Sequence, residues 1–372
     1  MQERRLGQPA RYDHIDLIEC IAMLFVVMYH STTVPYNFNH SAYESVNYFI
    51  RGILSVCVPL FFLANGFLLI NREFDLKKHL KKTGRLILLT FVWGAVNLLI
   101  LMPIKNQWFS AGEFIDALWT WKQGWINHFW FMGALVCIYL LFPLMKTAYD
   151  HNRKVFYYWV AACVILTFGN SLICMVATMY KFFIEGERQY IASNYFNMFN
   201  PLRGLYAHTF AYFGIGCFIG GNAGKIKSQI ERRNIAKPWL LIAVLCISSF
   251  CLGLWGVFAS KMTGGVWDVV WNGYDSIFTC VNVLAIYLLS TRYQCGEKNK
   301  ICRLIRSVSC NTFGVYVLHE IFIHLCNRWG IKSLPFMQNY ASNFLYAAAV
   351  VLLCAGISLL LKKIPFVRKL LL

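Results

Sequence analysis

Charge is the property that this sequence most clearly lacks. Only 14% of the 372 residues are Asp, Glu, Lys or Arg, whereas an average soluble domain has roughly 25%. Hydrophobic residues make up 58% of the chain, and the mean hydropathy is +0.51. So few charged side chains cannot cover a water-exposed surface, which excludes a soluble enzyme, a disordered tail and a disulfide-rich secreted domain. The sequence therefore predicts an all-α, polytopic integral membrane protein.

Several sequence motifs that are typical of soluble enzymes and metal-binding proteins are also absent. The chain has no Gly-rich phosphate loop, no CxxC pair and no Ser-His-Asp order. Its 14 cysteines lie mostly alone in apolar runs, where a thiol behaves as a small hydrophobic side chain. Cys295 and Cys302 share one loop, but no neighbouring residue completes a zinc site. The sequence therefore predicts no metal site, no disulfide framework and no permanently bound cofactor.

The sequence instead has a series of apolar runs near 20 residues long, which is the length of a membrane-spanning helix. Strands of a membrane barrel would be shorter and would alternate in polarity. The hydrophobicity of these runs is continuous, so lipid or neighbouring helices are expected on every side. Ten spans are predicted, near residues 15–35, 46–70, 84–104, 129–149, 155–181, 205–222, 238–259, 275–291, 309–327 and 342–361.

The basic residues indicate which way these spans point. The chain has 35 Lys and Arg against 17 Asp and Glu, a net charge of +18. With the N-terminus in the cytoplasm, most of these bases fall in the cytoplasmic segments, as the positive-inside rule requires. The excess therefore indicates a lipid bilayer and needs no nucleic acid. We predict that both termini are cytoplasmic, that the first run is a retained signal anchor, and that residues 1–372 form one membrane domain.

The first span holds the ionisable residues Asp16, Glu19 and His30, which are functional candidates because charge is costly in lipid. Glu19 and His30 are eleven residues apart, close to three helical turns, so they share one face about 16 Å apart. They are expected to line one channel, with Glu19 toward the cytoplasm and His30 toward the outer face. Simpler explanations are open: Asp16 and Glu19 can stabilise the helix start through its dipole, and His30 can lie at the membrane interface.

Polar residues in three later spans are further candidates. They are Asn65, which with Gly66 is expected to break the second span, His128 and Trp130 at the start of the fourth, and Tyr316, His319 and Glu320 in the middle of the ninth. Trp130 equally suits the aromatic belt of a membrane interface. Two adjacent ionisable residues at mid-membrane favour a functional site. Arg85, which begins the third span, is placed to meet an anionic ligand, whereas the neighbouring lysines suit membrane phospholipid.

These residues occur in the order of a known family. The chain resembles the integral-membrane acyltransferase family three in IAMLFVVMYH, FFLANGFLLI, HFWFMGALVCIYLLFPLM and FGVYVLHEIF, which together extend over residues 11 to about 330. The resemblance implies an O-acyltransferase that uses acyl-coenzyme A, most often acetyl-coenzyme A, on the cytoplasmic side. The implied acceptor is a sugar hydroxyl of a cell-surface or exported carbohydrate or of its lipid-linked precursor. It also implies a bacterial cytoplasmic (inner) membrane.

The resemblance assigns expected roles to the candidates. His30 is either the general base or a transient acyl carrier, and His319 is a second catalytic residue. Donor or acceptor binding is expected of Glu19, Arg85, Asn65, His128, Trp130, Tyr316 and Arg11. Two positions depart from the family pattern, because Glu19 replaces the usual Arg or Lys and Asn65 replaces the usual Ser. If the family arginine holds a donor phosphate, Arg11 or Arg85 must do so here.

Two other classes of function are open. A transporter or flippase for an acyl group or a lipid-linked saccharide would also carry intramembrane ionisable residues, although the two halves show no repeat symmetry. A sensor or anchor module is the third class, since related domains occur fused to other enzymes. Release of coenzyme A discriminates, because a transporter would not consume the thioester.

Overall fold

The regular structure of the described chain is entirely helical. The structure is a computed structural model that describes residues 11–31, 42–120, 124–203, 206–233, 237–296, 299–334, 337 and 339–371, and no strand occurs among them. The all-α prediction is confirmed. The helices are α1 (Asp13–Ser31), α2 (Ala42–Leu54), α3 (Cys57–Ile70), α4 (Leu76–Lys105), α5 (Ala111–Thr120), α6 (Trp130–His151), α7 (Arg153–Phe183), α8 (Tyr195–Phe199), α9 (Ala207–Gly221), α10 (Ala223–Arg233), α11 (Pro238–Thr263), α12 (Ile277–Ser290), α13 (Lys300–Ser309), α14 (Thr312–Arg328), α15 (Tyr340–Leu361) and α16 (Pro365–Arg368).

Seven segments in the described ranges are long and apolar enough to cross a membrane. They are Asp13–Ser31, Val46–Ile70, Leu76–Lys105, Ala111–His151 (apart from 121–123), Arg153–Phe183, Pro238–Thr263 and Tyr340–Leu361. The other three predicted spans coincide with α9, α12 and α14, which have 15, 14 and 17 residues. Such helices are about 21 to 26 Å long, shorter than a hydrocarbon core of about 30 Å. The number of ten crossings therefore stays a prediction.

The break in the second span lies earlier than the sequence suggested. The helix is interrupted at Ser55 and Val56, between α2 and α3, whereas Asn65 and Gly66 continue α3 without interruption. The cause is Pro59, which has no N–H to bond the carbonyl of Ser55 and whose ring crowds that carbonyl. The prediction of a break at Asn65–Gly66 was wrong, because Asn and Gly are tolerated within a helix that is packed on all sides.

Gly66 has a packing role instead. A Cβ atom on Gly66 would lie 2.1 Å from the backbone oxygen of Phe213, and one on Gly216 would lie 2.1 Å from the backbone oxygen of Leu63. The absence of side chains here lets the backbones of α3 and α9 touch, as small residues do in membrane helix pairs. This contact fixes α3, which carries Asn65 into the interior of the bundle.

Both ends of the described chain lie at the same end of the bundle. Arg11 Nη1 donates to Cys310 Sγ at 3.3 Å, and Lys362 Nζ donates to the Cys310 carbonyl at 3.1 Å. Near the C-terminus, the Lys369 carbonyl accepts a hydrogen bond from Arg85 Nη2 at 2.7 Å. We call this the basic end. It is the end predicted to face the cytoplasm.

Candidate active site

A cavity of about 1130 Å³ runs inside the bundle. At the basic end its wall includes Glu19 and Lys82, and farther along α1 it includes His30. At the opposite end it is lined by Trp130, Trp271 and other aromatic side chains, and we call this the aromatic end. Glu19 and His30 share one cavity, as expected from their helical spacing.

His30 is paired with a carboxylate across the bundle. Its Nδ1 lies 2.8 Å from Glu320 Oε1, and the side chains are 28% and 13% exposed. An ionised carboxylate only accepts hydrogen bonds, so Nδ1 carries the hydrogen and Nε2 keeps the lone pair. The Glu320 carboxylate thus orients His30 as a base, in the way that the Asp carboxylate orients the His of a Ser-His-Asp triad. The sequence marked both residues as candidates, but the pairing comes from the packing of α14 near α1.

Two more histidines surround the same carboxylate. His324 Nε2 lies 3.6 Å from Glu320 Oε2, and His319 Nε2 lies 4.0 Å from Glu320 Oε1. Sequence reasoning missed His324, although its position four residues after Glu320 on one helix face is a usable signal. Glu320 therefore has an imidazole near each of its oxygens as well as its bond to His30.

His319 is held behind the cavity by backbone and side-chain contacts. It is fully buried, and its Nδ1 lies 2.6 Å from the Tyr316 carbonyl. Tyr316 Oη in turn donates to the His128 carbonyl at 2.7 Å. His128 and Tyr316 line the cavity, whereas His319 is not among the lining residues. In the described part of the chain, Nε2 of His128 and Nε2 of His319 are buried and have no hydrogen-bond partner.

The aromatic end contains a second carboxylate, which sequence reasoning missed. Asp268 Oδ2 accepts a hydrogen bond from Tyr29 Oη at 2.8 Å, and Asp268 Oδ1 lies 3.7 Å from Arg51 Nη1. All three residues line the cavity. Trp130 packs edge-on against Trp271, with ring centroids 4.9 Å apart. Asp268 lies in the connection between α11 and α12, where no apolar run drew attention to it.

At the basic end Glu19 is anchored by a hydroxyl. Ser309 Oγ lies 2.7 Å from Glu19 Oε2 and 2.7 Å from Asp16 Oδ1. Arg11 Nε donates to Asp16 Oδ2 at 2.7 Å, so Arg11 neutralises Asp16 and is not among the cavity-lining residues. Nearby, Arg306 Nη2 donates to Asp13 Oδ1 at 3.0 Å, and this hydrogen bond to the carboxylate raises the pKa of Arg306.

The cation that lines the cavity at this end is Lys82. Its Nζ lies 5.2 Å from the centroid of the Tyr139 ring, and both residues belong to the wall. Arg85 is exposed, bonds the Lys369 carbonyl and is not a lining residue. Asn65 does line the cavity, with its Nδ2 donating to the Phe61 carbonyl at 2.9 Å. Of these two basic residues, Lys82 borders the cavity and Arg85 does not.

Comparison with known proteins identifies the family. The model of acyltransferase family 3, described as "Acyltransferase domain", matches residues 12–363. An amino-acid racemase from Enterococcus faecalis is 28% identical over 177 residues, which are 45% of this chain and 23% of that protein. The match thus spans less than a quarter of that relative's length. No solved structure matches the chain.

The matched region contains every residue of the cavity described above. It also contains the long apolar helices, of which seven can cross a membrane. The chain belongs to acyltransferase family 3, and its described residues include seven segments long and apolar enough to cross a membrane.

Proposed function

We propose that this protein moves an acyl group, in the first instance acetyl, from acyl-coenzyme A to a hydroxyl of a cell-surface or exported carbohydrate, in a bacterial cytoplasmic membrane. The observation that carries the proposal is the pair of His30 and Glu320 inside a cavity with a basic end and an aromatic end. Such a cavity suits a donor and an acceptor that reach one histidine from opposite sides.

The proposed chemistry uses the lone pair on His30 Nε2. As general base, Nε2 takes the proton of the acceptor hydroxyl while the oxygen bonds to the thioester carbonyl carbon. The carbon–sulfur bond then breaks, and His30 returns the proton to the sulfur of coenzyme A. As an acyl carrier, Nε2 would bond to the carbonyl carbon first, and the carbon–sulfur bond would break to release coenzyme A as its thiolate. The acceptor oxygen would then bond to the acyl carbon, the bond to Nε2 would break, and the hydroxyl proton would go to the thiolate. In both routes Glu320 stays ionised and stabilises the positively charged ring.

His128 is placed to assist this step. It lines the cavity, and its Nε2 has no hydrogen-bond partner in the described structure. If this nitrogen carries the ring hydrogen, it can donate a hydrogen bond that stabilises the negative charge developing on the thioester carbonyl oxygen. Tyr316 bonds the His128 carbonyl through its hydroxyl and the His319 ring through its own carbonyl, so we assign positioning roles to Tyr316 and His319.

The two ends of the cavity suit different ligands. Aromatic rings such as Trp130 and Trp271, together with the Asp268 carboxylate, suit a sugar, whose faces are apolar and whose rim carries hydroxyls. At the basic end, Lys82 suits a phosphate of the donor. Glu19 is unsuited to that task, because it carries the same sign of charge as a phosphate.

Replacing Lys82 is expected to weaken donor binding. A hydrogen bond between charged groups contributes about 1.5–3 kcal/mol, so Lys82→Met should raise the Kd for acetyl-coenzyme A by about one to two orders of magnitude. Calorimetry on the purified protein measures this. Lys81→Met is the matched control, because Lys81 lies on the same helix outside the cavity wall. Equal losses in the two variants would contradict a specific role for Lys82, and a larger loss in Arg85→Ala would assign the donor phosphate to Arg85.

Thioester consumption separates this proposal from transport. Purified protein in proteoliposomes receives acetyl-coenzyme A labelled in the acetyl group, and free thiol and label movement are followed together. We expect thiol release, with water as a slow acceptor when no sugar is supplied. Movement of intact donor or of a saccharide without thiol release would favour the transporter and contradict the proposal.

A further inference from the structure

The histidines around Glu320 form an arrangement that acid–base chemistry alone does not require. His30, His319 and Glu320 each offer a ligand atom, and these atoms all lie within 4.8 Å of one another. The three come from two helices, α1 and α14. His319 is fully buried, and the side chains of Glu320 and His30 are 13% and 28% exposed. The sequence predicted no metal site here, because His30 is nearly 290 positions away from the other two.

His319 provides the physical reason to look for a cation. Its Nδ1 faces the Tyr316 carbonyl at 2.6 Å, and a carbonyl oxygen only accepts, so Nδ1 carries the hydrogen of the neutral ring. The other nitrogen, Nε2, then presents a lone pair, and it faces Glu320 Oε1 at 4.0 Å. This Nε2 is fully buried and has no partner in the described structure. A lone pair that faces a carboxylate in a buried site calls for a positive charge between them.

We propose that His30 Nδ1, His319 Nε2 and a Glu320 oxygen bind a divalent transition-metal ion, of which Zn²⁺ is the best match. Two imidazoles and one carboxylate are a donor set that zinc accepts, with a fourth position left open. Metal–ligand distances near 2.1 Å would place such ligand atoms about 3.4 Å apart. The separations of 2.8 Å between His30 and Glu320 and 4.0 Å between His319 and Glu320 fall on either side of that value.

Neighbouring groups support the same site. His324 Nε2 lies 3.6 Å from Glu320 Oε2, which leaves Oε1 to face the other two ligands. The Tyr316 carbonyl fixes the ring of His319, as hydrogen-bond partners of metal-binding histidines commonly do. His30 borders the cavity, which gives an ion a path to the site.

Metal binding and the acyl-transfer role of His30 exclude one another. An ion on Nδ1 displaces the hydrogen to Nε2, which can then no longer accept a proton or attack a thioester. The site is therefore inhibitory, and this consequence rests on the proposed function. Binding itself does not, so it is measured without reference to activity.

The test uses Zn²⁺ alone and the purified full-length protein in detergent. The protein is treated with a chelator, titrated with Zn²⁺ by calorimetry, and its bound metal is counted after dialysis. We expect one Zn²⁺ per chain in the native protein and a Kd raised tenfold or more in His319→Gln. His151→Gln is the matched control, because His151 is exposed at the end of α6 and should leave zinc binding unchanged.

Two results would overturn the metal site. One is a native protein that holds no zinc after dialysis, which would mean that a proton lies between His319 and Glu320. The other is a His319→Gln variant that binds zinc with native affinity. If His319→Gln does not fold, as judged by its thermal unfolding without metal, Glu320→Gln provides the same comparison. Zinc that binds but leaves thiol release unchanged would contradict the role of His30 and not the site.

Discussion

Glu320→Gln is expected to lower the rate of acyl transfer by about 10² to 10⁴-fold. The amide keeps the size of the side chain but removes the negative charge 2.8 Å from His30 Nδ1. Without that charge, the ring loses both its fixed orientation and the stabilisation of its positively charged form. Release of thiol from acetyl-coenzyme A, measured at saturating donor, reports this loss.

The control for this variant is Glu73→Gln, which makes the same change at an exposed residue in the α3–α4 connection. Its rate should equal that of the native protein. The Kd for acetyl-coenzyme A should be unchanged in Glu320→Gln, because Glu320 is not among the residues that line the cavity. A variant that keeps more than half of the native rate would show that His30 does not depend on this carboxylate.

Gly216→Ala is expected to destabilise the folded protein by about 1–3 kcal/mol or more. The added methyl group would lie 2.1 Å from the backbone oxygen of Leu63. No side-chain rotation relieves a clash with backbone, so α3 and α9 must separate along their contact. Thermal unfolding in detergent, together with the yield of folded protein, measures this effect.

Gly84→Ala is the matched control for helix propensity. Gly84 lies in α4, and a Cβ atom there meets no atom within 4 Å. Because Ala favours a helix over Gly by about 1 kcal/mol, this variant should be as stable as the native protein or slightly more stable. If Gly216→Ala unfolds at the same temperature as Gly84→Ala, the close contact between α3 and α9 is not what holds the pair together.

The long apolar helices could be predicted from the sequence because each one coincides with a continuous apolar run of the chain. The boundaries of α11 and α15 lie within a few residues of the predicted spans 238–259 and 342–361. The break in the second span could not be placed because two signals competed. Asn65–Gly66 is a common turn pair, but only Pro59 lacks a backbone N–H. The helix is therefore interrupted before Pro59 and not at Asn65–Gly66.

The candidate site was predictable residue by residue but not as an arrangement. His30 and Glu320 stood out because ionisable groups are rare in lipid, yet only tertiary packing brings them to 2.8 Å. Lys82 was assigned to lipid because nothing in a run of lysines distinguishes the one that borders the cavity. Asp268 lay in a connection, where a carboxylate is ordinary until Tyr29 and Arg51 are found beside it.

The role of His30 is tested by the release of thiol from acetyl-coenzyme A by native protein and by His30→Ala, assayed side by side in proteoliposomes. Folding is checked by thermal unfolding, and binding of acetyl-coenzyme A is measured on the same preparations. We expect His30→Ala to bind the donor with near-native affinity and to release thiol about 10² to 10⁴-fold more slowly. Native-like thiol release by a folded His30→Ala protein would contradict the assignment of His30 as the residue that carries the transfer.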